Sequence, residues 1–136
     1  MKHLSVKKIA TSVARAEDVP ALLDAQGVEF QPIDCVDWAA DYPYAPKVEF
    51  RIAHKGDAVL IEYRVSEQSV AAVAPHDNGR VWEDSCVEFF VKTPAGEGYF
   101  NFEVNCIGTA LAAFRRSRTD ADHFDEERMK QVRHFG

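Results

Sequence analysis

The segment VEFFVKTPAGEGYFNFEVN, residues 87–105, predicts two β-strands joined by a turn. Apolar and polar residues alternate with a period of two on both sides of Thr93–Gly98, a stretch that contains one proline and two glycines. A symmetric turn gives three apolar cross-strand pairs: Val91 with Phe100, Phe89 with Phe102, and Val87 with Val104. These pairs predict one apolar face for a hydrophobic core.

The same register defines a polar face on the other side of the hairpin. Its pairs are Glu88 with Glu103, Phe90 with Asn101, and Cys86 with Asn105. Carboxylates at opposed positions have Cβ atoms about 5 Å apart and repel by up to about 1 kcal/mol. A one-residue slip would disrupt both faces, so we expect this register and expect the repulsion to be offset.

Three interactions could offset the repulsion between Glu88 and Glu103. Arg51 or Arg64 supplies a positive charge from a neighbouring strand, a cation lies between the acids, or a hydroxyl-rich ligand binds them. The alternative is a solvated polar face with no task.

The rest of the chain predicts an all-β protein. Period-two patterns at 48–52 and 59–65 flank the glycine turn 54–57 and predict another hairpin, and residues 109–114 resume a strand after Gly108. Residues 18–27 predict one short N-terminal helix with Asp18 as its cap, and the proline-containing residues 32–46 predict a loop. Four or five strands joined by glycine turns indicate an antiparallel β-sandwich, and we expect residues 1–136 to form a single domain.

The polar residues of the two hairpins suggest a sugar-binding patch. Carboxylate, amide and guanidinium groups match the vicinal hydroxyls of a sugar. The candidates are Glu88, Asn101, Glu103, Asn105, Arg51 and Arg64. Trp82, or a tyrosine of 42–44, supplies an aromatic platform for the ring, although Trp82 fits equally well as a core residue.

Composition narrows the function classes. Sixteen Lys and Arg against 22 Asp and Glu give a net charge of -6 without a basic stripe, which argues against nucleic-acid binding. The sequence shows neither a signal-peptide pattern nor an apolar run long enough for a membrane span, so we expect a cytoplasmic protein with no membrane partner. Cys35, Cys86 and Cys106 fit reduced, mostly buried thiols.

Two motifs resemble the family 9 carbohydrate-binding modules and their bacterial relatives. They are WEDSCVEFF at 82–90 and YFNFEVNCIG at 99–108, and residues 37–54 resemble the same group. The resemblance implies a jelly-roll β-sandwich that binds xylan or cellulose chain ends beside glycoside hydrolases, often with structural calcium. It implies that Asp84, Glu88 and Asn105 occupy binding-motif positions. Family members continue past the point matching 129–132, so the resemblance also predicts a C-terminally shortened form.

Other functions stay open beside sugar binding. Glu88 and Glu103 have the spacing of a retaining glycosidase pair, about 5 Å, and would then act as nucleophile and general acid. An exposed sheet edge would pair with another copy or with a partner domain. The five histidines lack ligand spacing, so no transition-metal site is expected. Calcium would use the oxygens of 77–79 and 83–84.

Overall fold

The computed structural model describes residues 1–13 and 15–136. The chain divides into two compact units, residues 1–68 and 69–136, and each unit contains one four-stranded sheet. The strands are β1 Lys7–Lys8, β2 Gln31–Ile33, β3 Lys47–His54, β4 Val59–Ser66, β5 Cys86–Val91, β6 Tyr99–Asn105, β7 Ala110–Arg115 and β8 Ala121–His123. The helices are α1 Val19–Ala25 and α2 Glu126–Met129.

In the first unit, β3 is the central strand. It pairs antiparallel with β4 on one side, as the alternating pattern predicts, and with β2 and the parallel β1 on the other. Helix α1 covers part of this sheet because Leu23 packs with the buried Ile9, Ala53 and Leu60. The predicted hairpin and helix are therefore confirmed. Asp18 precedes the helix, but its side chain makes no capping hydrogen bond.

The interpretation of residues 32–46 as loop is wrong at its start. Pro32 lies inside β2, paired with Glu49 of β3. A proline is tolerated on an outer strand where its missing N–H removes no ladder bond. The very short strands β1 and β8 were also missed, because two or three residues carry too little periodicity to detect.

In the second unit, the strands follow each other in the order β5-β6-β7-β8, each antiparallel to the next. Gly98 ends the turn before β6 with φ +100, and a Cβ there would lie 2.5 Å from the carbonyl oxygen of Arg115. Only glycine fits this position, so the turn and the register of β6 against β7 depend on it.

Arg116, one of three arginines in residues 115–118, pairs with Asp120 at 3.0 Å and with Asp122 at 2.6 Å, so its own charge is neutralised locally.

The prediction of mostly buried thiols is wrong for two of the three cysteines. Cys35 and Cys106 are exposed, and only Cys86 is partly buried. No helix in the described ranges is long and apolar enough to cross a membrane.

Candidate functional site

The register of β5 and β6 is the predicted one at all six positions. Glu88 lies opposite Glu103, and Phe90 lies opposite Asn101. The face that carries these residues is not uniformly solvated: Glu88 and Phe90 are exposed, whereas Glu103 is 5% exposed and Asn101 is 1% exposed. The alternative of a solvated polar face is therefore wrong for β6.

The burial of the polar side chains of β6 follows from their neighbours on β7. Leu111 lies opposite Glu103 and Ala113 lies opposite Asn101, and both β7 residues belong to a core cluster with Val81. The opposite, apolar face carries an aromatic cluster instead, in which Phe100 contacts Phe114 at 5.2 Å between ring centroids. Two buried polar residues thus lie beside a hydrophobic core, where unmet hydrogen bonds are expensive.

Two atoms of this buried pair lack a hydrogen-bond partner. They are Nδ2 of Asn101 and Oε2 of Glu103, judged against the residues that the structure describes. Oδ1 of Asn101, in contrast, accepts a hydrogen bond from Nε of Arg115 at 2.9 Å, which fixes the orientation of the amide. One donor and one acceptor therefore stay unmatched on the same face of β6, and an unmatched buried group costs about 1–3 kcal/mol.

Glu103 also experiences an unusual electrostatic environment. Burial raises its pKa above the ordinary value of 4.5, and the negative charge of Glu88 raises it further. The Asn101 amide, which lies near the carboxylate without forming a regular hydrogen bond to it, and the charge of Arg115 offset part of this rise. The carboxylate therefore holds its proton more tightly than an exposed glutamate does.

Trp82 is an exposed aromatic beside this face. It belongs to the 3₁₀ turn Val81–Glu83, which packs against β5 and β6. The side chain of Trp82 is 50% exposed while Val81 is fully buried, so Val81 is the core residue of the turn. The guanidinium of Arg80 lies 6.0 Å from the Trp82 ring centroid, and Arg80 also pairs with Glu83. The alternative that Trp82 fills the core is wrong.

Phe90 is a second exposed aromatic that the sequence analysis left without a role. It is 54% exposed, and its ring centroid lies 5.9 Å from that of Tyr99. The signal was present, because the register already placed Phe90 on the polar face opposite Asn101. A large apolar side chain on a polar, accessible face is typical of a ligand platform.

Asp84 and Asn105 are occupied by the protein itself. Asp84 accepts the backbone N–H of Val73 at 2.8 Å and that of Ala74 at 3.0 Å, and it accepts Nδ2 of Asn105 at 2.9 Å. The bond from Val73 holds the pKa of Asp84 below its usual range, and Asn105 lowers it further. Oδ1 of Asn105 accepts the backbone N–H of Thr109 at 2.8 Å. These bonds give both residues a positioning role, and ligand contact by either stays a prediction.

Arg51 and Arg64 lie in the first unit, on β3 and β4. Arg51 is 3% exposed and binds Glu62 and Asp24, each at 2.7 Å, while Arg64 binds Glu62 at 2.9 Å. Among the described strands, β5 and β6 are hydrogen-bonded only within the second sheet, so neither arginine lies on a strand next to the acid pair. Neither arginine thus offsets the acid pair from a hydrogen-bonded neighbouring strand, and ligand contact by either arginine stays a prediction. The basic neighbour of Glu103 is Arg115 on β7.

The residues suggested for calcium do not fit that ion. Oδ1 of Asp77 accepts the N–H of Ala110 at 2.9 Å, Oδ1 of Asn78 accepts the N–H of Ala112 at 3.0 Å, and both oxygens of Asp84 accept hydrogen bonds. Calcium needs six to eight oxygen ligands, and these oxygens already satisfy backbone donors. The described part of the chain contains no group of three His, Cys, Asp or Glu able to hold a metal.

Exposed aromatic rings beside carboxylate and amide groups on one sheet face are typical of a carbohydrate-binding module. The sequence model of carbohydrate-binding family 9 matches residues 17–136, so the chain belongs to this family. This membership and the two sheets confirm the predicted all-β class, an antiparallel β-sandwich with one short N-terminal helix.

One solved structure is similar over nearly the whole chain. It is a proposed carbohydrate-binding protein from Bacteroides uniformis, 50% identical with a TM-score of 0.87, and the match covers 93% of this chain and 58% of that one. The chain thus spans less than two thirds of that protein. No protein of curated function matches it significantly.

Proposed function

We propose that the chain binds carbohydrate without cleaving it, at the face formed by Trp82, Glu88, Phe90, Asn101 and Glu103. The observation that carries this proposal is the unmatched pair on β6, Nδ2 of Asn101 and Oε2 of Glu103. A sugar hydroxyl donates one hydrogen bond and accepts another, so a single hydroxyl satisfies both atoms. Binding then recovers part of the cost of leaving them unmatched.

The aromatic side chains complete this site. Trp82 and Phe90 offer flat apolar surfaces to the C–H face of a pyranose ring, and the exposed Glu88 accepts hydroxyls near its rim. Oε2 of Glu103 and Nδ2 of Asn101 are shielded from solvent, so the hydroxyl reaches them after a side chain moves. Phe90, exposed and directly opposite Asn101, is the side chain we propose to change rotamer.

For the ligand class we propose fragments of plant polysaccharides such as xylan or cellulose, in a role auxiliary to carbohydrate catabolism. The support is family membership together with the aromatic and carboxylate composition of the face. Unbranched β-linked chains present flat C–H faces to aromatic rings, which suits two exposed rings on a shallow surface.

The test is calorimetric titration with xylobiose, cellobiose and their polymers. We expect saturable binding by the wild type and at least about tenfold weaker binding by Glu88→Ala, whose truncation removes an exposed acceptor without disturbing the core. Glu97→Ala, an exposed acid in the β5–β6 turn, is the matched control and retains the wild-type affinity. Unchanged affinity in Glu88→Ala contradicts the site, and absence of binding to the whole panel contradicts the function.

A hydrolase that uses Glu88 and Glu103 is the first alternative, because Glu103 has the raised pKa of a general acid. The same samples separate the two functions. Release of new reducing ends from xylan or cellulose, abolished by Glu103→Gln, would establish cleavage.

Assembly through a sheet edge is the second alternative, favoured by the strand order. Within the described residues, β4 is paired only with β3 over its eight residues and β5 only with β6. Such edges pair with a further strand of another molecule. Light scattering during size-exclusion chromatography, repeated over a concentration series, detects this dimer.

A further inference from the structure

Arg115 decides which end of the Asn101 amide is available to a ligand. An arginine side chain carries only hydrogen-bond donors, so a neighbouring amide turns its oxygen toward it. The structure has this arrangement, because Nε of Arg115 donates to Oδ1 of Asn101 at 2.9 Å. The amide therefore leaves Nδ2 for other contacts, and Nδ2 is buried with no partner among residues 1–13 and 15–136.

Arg115 is itself held in place from two sides. Its Nη1 donates to the carbonyl oxygen of Arg118 at 3.1 Å, in the turn between β7 and β8. Its backbone lies opposite Tyr99 of β6 and Ala121 of β8. Because the guanidinium group is planar, two bound donors set the direction of the whole group. The amide of Asn101 thus cannot turn round without losing its bond and placing its NH2 group against an N–H donor.

The second unmatched atom, Oε2 of Glu103, requires a donor from the ligand. Asn101 and Glu103 are two positions apart on β6, so both side chains lie on one face. The amide lies near the carboxylate without forming a regular hydrogen bond to it. One ligand atom satisfies both groups only if it accepts from the amide and donates to the carboxylate, as a hydroxyl oxygen does. Ether, glycosidic and ester oxygens accept but do not donate.

The space around these two atoms is also closed on the side of the core. Leu111 lies opposite Glu103 and Ala113 lies opposite Asn101, and both β7 residues are fully buried. A methyl or acetyl group on the bound oxygen removes its proton and needs room beside this packed core. The substituent therefore costs a hydrogen bond and strains the packing together.

We propose that Arg115 is a positioning residue of the sugar site, and that through Asn101 it makes the site select a free hydroxyl and reject the same oxygen when it is methylated or acetylated. The ligands are then unsubstituted stretches of xylan or cellulose chains, and an acetyl group on the bound hydroxyl excludes xylan. This inference rests on the proposed carbohydrate-binding function and specifies the ligand class of the same site.

The experiment uses the disaccharide that the wild type binds more tightly, xylobiose or cellobiose, and its mono-O-methyl ethers, one for each hydroxyl. Calorimetry at about pH 8 favours the ionised form of Glu103. The wild type should bind at least one ether about tenfold more weakly than the parent disaccharide. Arg115→Gln should weaken binding of the parent and lose this discrimination, because glutamine offers Asn101 either a donor or an acceptor.

Two control variants separate positioning from charge and from general damage to the fold. Arg115→Lys keeps a side chain that only donates, so it should keep the discrimination between parent and ether. Arg118→Gln removes an exposed positive charge from the neighbouring turn and should keep both affinities. NMR of the wild type needs no variant: the saturating parent disaccharide should shift the side-chain amide resonances of Asn101, and the rejected ether should not.

The outcomes separate the two proposals. Equal binding of the parent and all its ethers, or unshifted Asn101 side-chain resonances at saturation, overturns the hydroxyl selection while leaving carbohydrate binding intact. Discrimination that persists undiminished in Arg115→Gln overturns the positioning role. Failure of xylobiose, cellobiose and their polymers to bind, from folded protein, overturns the binding function and the selection with it.

Discussion

Glu103 and Glu88 lie directly opposite each other on neighbouring antiparallel strands, yet Glu103 is buried and Glu88 is exposed. The asymmetry arises because β6 lies between two strands and β5 lies at the edge of the sheet. One carboxylate is thus retained inside the protein and the other at its surface. An arrangement that lowers stability in this way is typical of a binding site.

We expect Glu103→Gln to stabilise the fold at neutral pH. The folded-state pKa of Glu103 lies above its ordinary value of 4.5, because burial and Glu88 disfavour the charged form. Its contribution to stability is therefore fully present below the unfolded pKa and is lost as pH rises through the folded pKa. At neutral pH the free energy of unfolding of the variant should rise by up to about 1 kcal/mol, since solvent around the exposed Glu88 on the edge strand screens part of the repulsion.

Urea unfolding of the wild type and Glu103→Gln from acid to neutral pH tests this prediction. The difference between the two proteins matters, because it removes the contributions of other carboxylates that titrate in the opposite sense. The free-energy gap should open above about pH 4.5, the ordinary glutamate value, and then level off. A gap that is constant across the series would show that Glu103 does not titrate abnormally.

Trp82→Ala and Phe90→Ala should each weaken sugar binding by about tenfold or more, because buried aromatic contacts dominate such interfaces. Both side chains are at least half exposed, so their loss should leave the melting temperature nearly unchanged. Trp38→Ala is the control for the loss of an exposed tryptophan, since Trp38 is 71% exposed. The measurement is calorimetric titration with the sugar that the wild type binds most tightly. If Trp82→Ala or Phe90→Ala loses no more affinity than Trp38→Ala does, that aromatic residue does not belong to the binding site.

The sequence predicted the register of the second hairpin completely, because an apolar face and a turn of defined length leave one alignment. The sequence did not predict that the polar side chains of β6, Asn101 and Glu103, are buried. Leu111 and Ala113 lie beside Glu103 and Asn101 because β7 pairs with β6. Val81, which packs on the same cluster, comes from a turn that is distant in sequence. Alternation shows that two faces differ, but the burial of each depends on contacts that alternation does not contain.

The roles of the polar residues were harder to predict still. Asp84, Asn105 and Arg51 have the same chemistry as ligand-binding residues, and the structure engages all three with protein partners. Whether a carboxylate binds a sugar or a backbone N–H depends on where the chain places the donor. For Asp84 the donor belongs to a loop whose path has no local signal.

Asn105→Ala should destabilise the fold by about 2–3 kcal/mol, because the backbone N–H groups of Ile107 and Thr109 and the carboxylate of Asp84 lose a buried partner. Asn105→Asp is a second variant. It keeps an oxygen that accepts from the backbone N–H groups of Ile107 and Thr109, but it places a second carboxylate beside Asp84. Chemical unfolding gives the free energies. A stable Asn105→Ala that no longer binds sugar would instead make Asn105 a ligand residue.

Arg51→Ala should destabilise the first unit by up to about 3–5 kcal/mol, since removing the buried Arg51 leaves Glu62 with the exposed Arg64 as its described charge partner. Arg64→Ala is the control, because Arg64 binds the same carboxylate from an exposed position and should cost less than about 1 kcal/mol. Thermal unfolding followed by circular dichroism measures both. If Arg64→Ala loses sugar affinity while its stability is unchanged, Arg64 is a ligand-binding residue.

The three thiols should differ in reactivity toward a disulfide reagent. Burial, together with the negative charge of Glu88, raises the pKa of Cys86 to about 11, whereas Cys35 and Cys106 are exposed. Because the thiolate is the reactive form, two thiols should react quickly in native buffer and the third only after unfolding. A saturating sugar should slow Cys86 further, since it shares the face of Glu88 and Glu103. Rapid reaction of all three thiols in the folded protein would contradict the burial of this face, and with it the origin of the raised pKa of Glu103.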